Sequence, residues 1–361
     1  MFSAADHRFM AQALRLAQQG LFSTRPNPRV GCVIVRDERV VGEGWHQRAG
    51  TPHAEVHALQ QAGDQARGAT VYVTLEPCAH HGRTPPCADA LIAAGVARMV
   101  AAMRDPNPQV AGRGLTRLQA AGIAAECGLM EEAARELNLG FVSRMTRARP
   151  WVRLKAAASL DGKTALNNGV SQWVTGPAAR SDVQQWRARS CAILTGVGTV
   201  LADDPQMNVR EIAIPHQPLR VVVDSRLRTP PDAKIIAGGG VLIASAIGDQ
   251  VKIQALRQAG AEVVVLPGGD GRVDLARLMA LLAEREVNEL MVEAGATLNG
   301  ALLAAGLVDE LVLYLAPMLL GDAARGLFAL PALSRMDECK KLTLRDVRQV
   351  GTDMRVIARV L

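Results

Sequence analysis

The chain has 361 residues, of which 49% are hydrophobic and 21% are charged, and its formal net charge is +6. This length exceeds what one hydrophobic core usually serves, so we expect a globular protein of two domains. No run of about 18 apolar residues occurs, and no basic stretch followed by an apolar one opens the chain, so the sequence predicts neither a membrane span nor a signal peptide. Six scattered cysteines do not form the framework of a small disulfide-rich protein, and we expect a reducing, cytoplasmic location.

The basic character, with a pI near 9.2, could indicate a nucleic-acid-binding protein. Aromatic residues make up only 3% of the chain, however, and surfaces that bind single strands need aromatic side chains for stacking. The arginines are dispersed, with a mild cluster at Arg144, Arg147 and Arg149. We therefore expect the charge to favour small anionic molecules, phosphates above all, and we expect no nucleic-acid or membrane partner.

Alternating strand and helix patterns predict an α/β fold for the first part of the chain. An amphipathic pattern over residues 3–20, with Ser3 and Asp6 as a capping box, predicts the first helix. The other predicted strands are 30–35, 40–45, 70–75, 96–103 and 124–128, and the other predicted helices are 53–62, one starting at Cys87, 114–121 and 131–138.

A domain boundary is predicted within residues 144–150, which are basic, poor in apolar residues and ended by Pro150. We place one domain at 1–146 and the other at 151–361. The second half repeats the α/β pattern, with strands beginning at 151 and at 192–194, 219–223, 241–244, 262–266, 289–293 and 310–315, and helices at 179–189, 252–259, 275–285 and 298–305.

A catalytic zinc site is predicted from His53, Cys78 and Cys87, since an imidazole and two thiolates are ligands that zinc prefers. Three protein ligands leave a fourth tetrahedral position open, as in catalytic zinc sites. Glu55 can stand beside that position without being a ligand. His-x-Glu followed by Pro-Cys and a later Cys is the pattern of zinc deaminases, in which the glutamate moves protons. The second cysteine comes nine positions after the first rather than three, which we interpret as an inserted loop at 79–86.

A metalloprotease is one alternative, because His53 and His57 are four residues apart as in His-Glu-x-x-His proteases. In that motif the acid follows the first histidine directly. Here Ala54 holds that position and Glu55 comes one residue later, so the carboxylate would point elsewhere. The spacing favours the deaminase.

A structural zinc site, or cysteines that are simply buried, is a second alternative, and the structural site would need a fourth ligand. Cys32, His57, His80 and His81 keep this interpretation open, but none of them explains Glu55. A non-catalytic zinc module would not need Glu55 either. A deaminase that edits nucleic acids would share the motif, but it should also show aromatic and basic contacts to the strand, which this sequence lacks.

Two glycine turns in the second half each follow a predicted strand, at residues 195–199 and 292–298. Backbone N–H groups at such a turn and the positive end of the following helix bind phosphate well. Neither turn matches Gly-x-Gly-x-x-Gly or the Gly-Lys-Ser/Thr of an ATP-binding loop, and each alone could equally be structural. Two of them in one α/β domain, with Lys155 and Asp161-Gly162-Lys163, favour a nucleotide pocket.

These motifs are similar to those of a known family. The N-terminal half resembles the cytidine-deaminase-like zinc fold, and the runs 26–32 and 76–87 are similar to those of the bifunctional riboflavin-biosynthesis deaminase/reductase family. The C-terminal half resembles the reductase domain of that family, a dihydrofolate-reductase-like fold, on stretches 155–163, 171–173, 201–205 and 292–295. The eight-residue spacer between the two cysteines is itself a trait of the family.

The resemblance implies two consecutive reactions on small phosphorylated pyrimidines. The first is zinc-dependent hydrolytic deamination of 2,5-diamino-6-(5-phosphoribosylamino)pyrimidin-4(3H)-one. The second is NADPH-dependent reduction of the ribosyl side chain of 5-amino-6-(5-phosphoribosylamino)uracil to ribityl. In the deaminase the resemblance implies that Glu55 is the catalytic proton carrier, that Asn27 and His46 hold the pyrimidine, and that His80 and Arg83 lie near ribose and phosphate.

For the reductase, the resemblance implies contacts to both ligands, and it alone supports NADPH over NADH. The implied NADPH contacts are Ala157, Trp173, Thr199, Asp203, Ser225, Gly295, Ala296, Thr297 and Leu298. The implied substrate contacts are Lys155, Ser171, Arg187, Met207, Arg210 and Glu293. Arg187 and Arg210 suit a phosphate because their planar forks make bidentate bonds, and we expect Lys155 and Glu293 to hold the ribose. We also expect a homo-oligomer, a dimer or a tetramer.

Overall fold

The structure, a computed structural model, describes residues 1–79, 85–108 and 110–361. The chain divides into two compact units, Met1–Ala148 and Arg149–Leu361. Each unit combines a β-sheet with helices, so the predicted α/β class is confirmed. Over the described ranges, no helix has both the length and the apolar character that crossing a membrane requires.

The first unit is a mixed sheet with the strand order β2-β1-β3-β4-β5, in which β1 is antiparallel to both neighbours and β3, β4 and β5 are parallel. Its strands are β1 (Gly31–Arg36), β2 (Arg39–Trp45), β3 (Thr70–Val73), β4 (Arg98–Ala101) and β5 (Ala124–Cys127). Its helices are α1 (Ala4–Gln18), α2 (Ala54–Ala62), α3 (Cys87–Ala94), α4 (Arg113–Ala120), α5 (Glu131–Leu137) and α6 (Leu139–Arg147), with a 3-10 turn at Gly63–Ala66.

Glycines in β1 and β2 let two helices lie unusually close to this sheet. A Cβ on Gly31 would come within 2.0 Å of the Ala13 carbonyl oxygen in α1, and a Cβ on Gly44 within 2.3 Å of the Ala54 carbonyl oxygen in α2. Any other residue at either position would push its helix outward. The close approach at Gly44 fixes the first turn of α2, which carries the predicted catalytic carboxylate.

The second unit is built on a larger sheet with the order β11-β10-β9-β8-β12-β6-β13-β16-β15, parallel from β11 to β13 and antiparallel beyond. Its strands are β6 (Trp151–Ser159), β7 (Lys163–Ala165), β8 (Ala192–Gly196), β9 (Leu219–Val223), β10 (Val241–Ser245), β11 (Ala261–Val265), β12 (Glu289–Val292), β13 (Glu310–Ala316), β14 (Arg325–Gly326), β15 (Leu342–Val350) and β16 (Asp353–Val360). Its helices are α7 (Pro177–Arg189), α8 (Val197–Asp203), α9 (Gln250–Gln258), α10 (Leu275–Glu284) and α11 (Ala296–Ala304), with a 3-10 turn at Met336–Glu338. Strands β7 and β14 form a separate antiparallel pair.

A buried ion network joins three adjacent strands of this sheet, β12, β6 and β13. Arg153 in β6 is only 1% exposed, and it donates to Glu310 at the start of β13 and to Glu289 at the start of β12, the latter at 2.8 Å. Glu289 also accepts from Arg189 at 3.0 Å. Because a buried charge without a partner is strongly destabilising, this network holds β6 in register with both neighbours.

The structure contains elements that the sequence did not predict, namely helices α6 and α8 and strands β7, β14, β15 and β16. Helix α6 continues through Arg147, so most of the predicted linker is helical: Leu139 and Val142 are buried, while the last turn is basic and its end, at Thr146 and Arg147, is exposed. Read from the sequence alone, the polar end of this helix resembles a linker. Strands β15 and β16 were not predicted, because β15 is a largely exposed edge strand whose polar and apolar residues give no clear signal.

We predict that the chain can be cut near Arg147 into two independently folding units. Ala148 is exposed with a left-handed backbone (φ 52°), and Arg149 donates to the Leu307 carbonyl and to Asp309, both in the second unit. Brief trypsin treatment, followed by intact-mass measurement, should give two persistent fragments that meet within residues 144–150. The absence of any stable fragment ending in that range would contradict the prediction.

Candidate active sites

The predicted zinc ligands lie together in the first unit. His53 is the N-cap residue of α2, Cys87 is the first residue of α3, and Cys78 follows β3. The His53 Nδ1 atom lies 3.2 Å from Cys87 Sγ and 3.8 Å from Cys78 Sγ, and the three ligand atoms lie within 4.8 Å of one another. Such separations suit one ion bound to nitrogen and sulfur at about 2.0–2.3 Å. Among the residues that the structure describes, neither Cys32 nor His57 belongs to this cluster, and His80 and His81 lie outside them.

The protonation of the two thiols also fits a cation. A hydrogen bond with Cys87 lowers the pKa of Cys78 to about 4, with His53 acting in the same direction and burial opposing it. The same contact with Cys78, together with burial, raises the pKa of Cys87. Two adjacent thiolates repel each other, and a bound cation removes that penalty. The residues present therefore fit a zinc ion.

Glu55 lies in the first turn of α2, is 3% exposed, and its burial raises the pKa of the carboxyl group. Within the described part of the chain, its Oε2 atom has no hydrogen-bond partner. A buried polar atom is costly when nothing satisfies it. A water or a substrate group at this atom would complete its hydrogen bonding.

Asn27 and His46 lie beside this cluster. The Asn27 Nδ2 group donates to His46 Nε2 at 3.0 Å, and His46 Nδ1 donates to the Pro52 carbonyl at 3.3 Å, which together fix the neutral tautomer. Burial lowers the pKa of His46 to about 4, so the ring stays neutral at pH 7. Its ring packs edge-on against His53, with 5.3 Å between centroids. The predicted His80 and Arg83 contacts lie outside the described residues.

Sequence reasoning assigned no role to Glu76, although it lies in the zinc motif. Its buried carboxylate accepts four backbone N–H groups at the start of α4 and in the loop before it, from Asp105 (3.2 Å), Gly112 (2.9 Å), Gly114 (2.9 Å) and Leu115 (3.2 Å). The available signal was an acidic residue directly after an apolar strand and before Pro-Cys. These bonds fix the backbone that leads from Glu76 to the zinc-ligand candidate Cys78.

In the second unit, the carboxyl ends of the parallel strands β6, β8 and β12 meet at one edge of the sheet, where α/β proteins bind ligands. Glu293, directly after β12, accepts a bidentate pair from Arg187 at 2.6 and 2.9 Å. Arg187 also donates to the Asn208 carbonyl at 3.0 Å, so its planar fork is engaged within the protein.

Lys155 lies at the same level as Glu293, because Leu154 pairs with Val292 one residue earlier. Burial lowers the pKa of Lys155. Burial favours the neutral form of Glu293, but the Arg187 and Lys155 charges outweigh it and lower the pKa of that carboxyl. The structure thus brings Lys155, Arg187 and Glu293 together.

Both predicted glycine turns are strand-to-helix turns. Gly196 is the N-cap residue of α8 and Gly295 that of α11, and neither helix has a side-chain capping bond. A Cβ on Gly196 would lie 3.3 Å from Leu298 Cδ2, so the two turns are neighbours. Thr199 and Asp203 lie on α8, and Ala296, Thr297 and Leu298 form the first turn of α11. The first backbone N–H groups of a helix have no partner within the helix, so two adjacent helix N-termini fit a dinucleotide phosphate.

The other predicted reductase residues are more scattered. Trp173 is 69% exposed, with the Arg180 guanidinium 4.7 Å from its ring centroid. Ala157 is part of β6, and Ser171 precedes the tryptophan in the loop after β7. Arg210 is exposed, and its backbone N–H bonds to Gln184.

Two of these residues have their side chains engaged inside the protein. Ser225 Oγ accepts from the Val273 N–H at 3.2 Å, and Met207 is 4% exposed within the apolar core. Asp161 and Lys163, which the sequence associated with a nucleotide pocket, bind residues 320–322 of the same chain instead.

Comparison with known proteins links both sites to one family. The family model "Cytidine and deoxycytidylate deaminase zinc-binding region" matches residues 3–103, and the model "RibD C-terminal domain" matches residues 150–356. The riboflavin biosynthesis protein RibD of Escherichia coli is 53% identical over 97% of this chain and 98% of its own length. RibD of Haemophilus influenzae is 47% identical over 98% of this chain and 97% of its own length.

Solved structures agree. RibD of Acinetobacter baumannii is 46% identical, covers 99% of each chain and superposes with a TM-score of 0.92. A diaminohydroxyphosphoribosylaminopyrimidine deaminase/5-amino-6-(5-phosphoribosylamino)uracil reductase from Thermotoga maritima is 31% identical, covers 99% of each chain and has a TM-score of 0.87. This chain therefore belongs to the RibD family of bifunctional riboflavin-biosynthesis enzymes, with a zinc-binding deaminase domain followed by an NADPH-dependent reductase domain.

Proposed function

We propose that the first unit deaminates 2,5-diamino-6-(5-phosphoribosylamino)pyrimidin-4(3H)-one and that the second reduces the product, 5-amino-6-(5-phosphoribosylamino)uracil, at its ribosyl side chain. The observation that carries the first step is the buried Glu55 Oε2, which has no partner among the described residues. It belongs to the helix that begins after His53, one of the three clustered metal-ligand candidates. A purely structural metal site would give this carboxylate no task.

His53, Cys78 and Cys87 would hold a zinc ion, which would lower the pKa of a water at its open position. Glu55 would accept one proton of that water as the oxygen adds to C2 of the pyrimidine, and would pass it to the ring nitrogen. It would then carry the second proton, from the hydroxyl on C2, to the 2-amino group as the C2–N bond breaks and ammonia leaves. Asn27, oriented by its hydrogen bond to His46, would bind the polar edge of the pyrimidine ring. His80 and Arg83 stay predicted contacts to ribose and phosphate.

In the reductase, bound NADPH would supply a hydride to C1′ of the ribosyl group, and the ring oxygen would have to gain a proton as the C1′–O bond breaks. Lys155 and Glu293 are the groups that we assign to hold the ribose there. The lowered pKa of Lys155 makes it a better proton donor than an exposed lysine. Arg187 fixes Glu293 through two short bonds, so its role is to orient that carboxylate.

The positive charge around Glu293 suits a phosphorylated substrate. Lys155, Arg187 and Arg210 all act on this one carboxylate, which leaves the local charge positive. Arg187 is engaged, whereas the guanidinium of Arg210 makes no hydrogen bond within the described residues. We therefore assign the substrate phosphate to Arg210. Ser171 and Met207 stay predicted substrate contacts, and Ala157, Trp173, Thr199, Asp203, Ser225 and residues 295–298 stay predicted NADPH contacts.

We also propose that the protein assembles with copies of itself. The edge strand β15 exposes Leu342, Leu344 and Val347, and an exposed apolar edge strand is a surface that proteins usually cover. Size-exclusion chromatography with light scattering would distinguish a dimer or tetramer from a monomer. A cytoplasmic location and the lack of nucleic-acid and membrane partners stay predictions.

We predict one zinc ion per chain, lost in Cys78→Ser and Cys87→Ser, because each removes one of three protein ligands. Metal analysis of the dialysed proteins measures this. Cys32→Ala is the matched control, since Cys32 is fully buried in the same unit but lies outside the cluster, and it should keep its zinc. Full zinc occupancy in both ligand variants would refute the assignment.

We predict that Glu55→Gln keeps its zinc and loses ammonia release by at least about 10²–10⁴-fold, the usual contribution of one positioned acid or base. The same variant should oxidise NADPH at the wild-type rate when it is given the deaminated aminouracil phosphate. Glu38→Gln, an exposed change in the same unit, is the control for both assays. If Glu55→Gln abolished both activities with zinc and fold intact, one shared active site would be the better account.

We predict that Glu293→Gln slows NADPH oxidation by at least about tenfold, because the amide can no longer pair with Arg187 and Lys155 as a charge, while ammonia release continues. Glu310→Gln is the matched control: it also weakens a buried ion pair, with Arg153, but at the opposite ends of the strands. Equal loss of NADPH oxidation in the two variants would assign the effect to stability and count against a role of Glu293 in the site.

A further inference from the structure

Residues 317–329, here called the return segment, connect the end of β13 to a position beside α11. Most of the segment is exposed, and β14 is its only regular element among the described residues. Leu327 and Phe328 pack against the core of the second unit. The rest of the segment is held from outside the core, by the turn between β6 and β7.

Asp161 in that turn makes the main contacts. Its carboxylate accepts the Gly321 N–H at 2.8 Å and the Leu320 N–H at 3.2 Å, and it also accepts the hydroxyl of Ser159. The following Gly162 has φ +74°, a backbone conformation that favours glycine and turns the chain back into β7. One exposed carboxylate thus satisfies two successive backbone donors of the return segment.

Further bonds tie the two stretches together beyond this carboxylate. The Leu160 N–H donates to the Met318 carbonyl at 2.9 Å, and Lys163 Nζ donates to the Asp322 carbonyl at 3.3 Å. Strand β14 then pairs with β7. The loop after β7, which carries Ser171 and Trp173, therefore starts from a strand that the return segment supports.

The far end of the return segment lies against the first turns of α11. The Ala329 N–H donates to the Ala296 carbonyl at 3.0 Å, and a Cβ on Gly300 would lie 2.2 Å from the Ala329 carbonyl oxygen. Ala296 directly follows Gly295, the N-cap residue of α11. A shift of the return segment would therefore disturb the helix end to which we assign the cofactor.

We propose that Asp161 is a positioning residue for the reductase reaction: it docks the return segment and thereby holds the N-terminus of α11 and the loop after β7 in the arrangement that receives NADPH. This inference rests on the proposed cofactor site at Gly295. The Ser159 hydroxyl, with the two backbone donors, lowers the pKa of Asp161 to about 2, so the carboxylate is ionised at any working pH. Because Asp161 is exposed, its removal should cost little global stability.

The test is Asp161→Ala in the full chain, assayed with the deaminated aminouracil phosphate and NADPH. When only a fraction of molecules is competent to bind, apparent affinity falls by that fraction. We expect the KM for NADPH to rise roughly tenfold, the effect of one charge-assisted hydrogen bond, with kcat changing less than about threefold. Asp249→Ala, which removes a partly exposed helix-capping carboxylate elsewhere in the same unit, should leave the KM unchanged.

Trypsin gives a second readout that does not depend on activity. Cleavage after Arg325, within the return segment, should accelerate in Asp161→Ala while cleavage within residues 144–150 keeps its wild-type rate, and NADPH should slow the cut in wild type. Faster cleavage throughout the chain would indicate general unfolding and overturn the inference. If Asp161→Ala does not fold, Asp161→Asn, which keeps one acceptor oxygen, takes its place under the same criteria.

The outcomes separate this inference from the function on which it rests. A wild-type chain that fails to oxidise NADPH with the uracil substrate would refute the proposed reductase reaction itself. An active wild type whose KM for NADPH and cleavage at Arg325 do not change in Asp161→Ala would leave the reductase assignment standing and refute only the positioning role.

Discussion

The deaminase site depends on two helix N-termini that meet beside the loop after β3. His53 precedes α2 and Cys87 begins α3, so the points at which these two helices begin fix the positions of two of the three ligands. Glycines in β1 and β2 set the depth of α1 and α2 on the sheet, and a side chain at Gly44 would displace the turn that carries Glu55. The chemistry therefore rests on backbone packing as much as on the ligands.

The second unit contains two clusters of buried charge, and they differ in how completely their charges are paired. Arg153 is fully matched by Glu289 and Glu310, and this network only holds strands together. At the opposite edge of the sheet, Arg187 matches Glu293, but Lys155 remains an extra charge beside them. Lys155 and Glu55, for which we propose roles in the two reactions, are both buried without a complete set of partners among the described residues.

Glu76 and Asp161 show a second use of motif residues. Both lie in stretches that resemble family motifs, and the carboxylate of each accepts hydrogen bonds from backbone N–H groups of distant chain segments. A carboxylate that accepts several backbone donors orders a loop that has no regular secondary structure to hold it. Both residues order chain segments beside the sites that we propose. The sequence singled out Asp161 only as part of a nucleotide pocket and gave Glu76 no role.

The sequence by itself determined the α/β class, the two-part organisation, the His53, Cys78 and Cys87 set and the glycine turns at Gly196 and Gly295. These features follow from local spacing, which composition and periodicity express directly. Only the tertiary structure decided the partners. In the structure Arg187 pairs with Glu293, and Met207 is buried. Helix α6 extends through Arg147, and Asp161 binds the return segment. Which side chain stays free for a ligand depends on contacts between residues far apart in the chain, and no local pattern records those contacts.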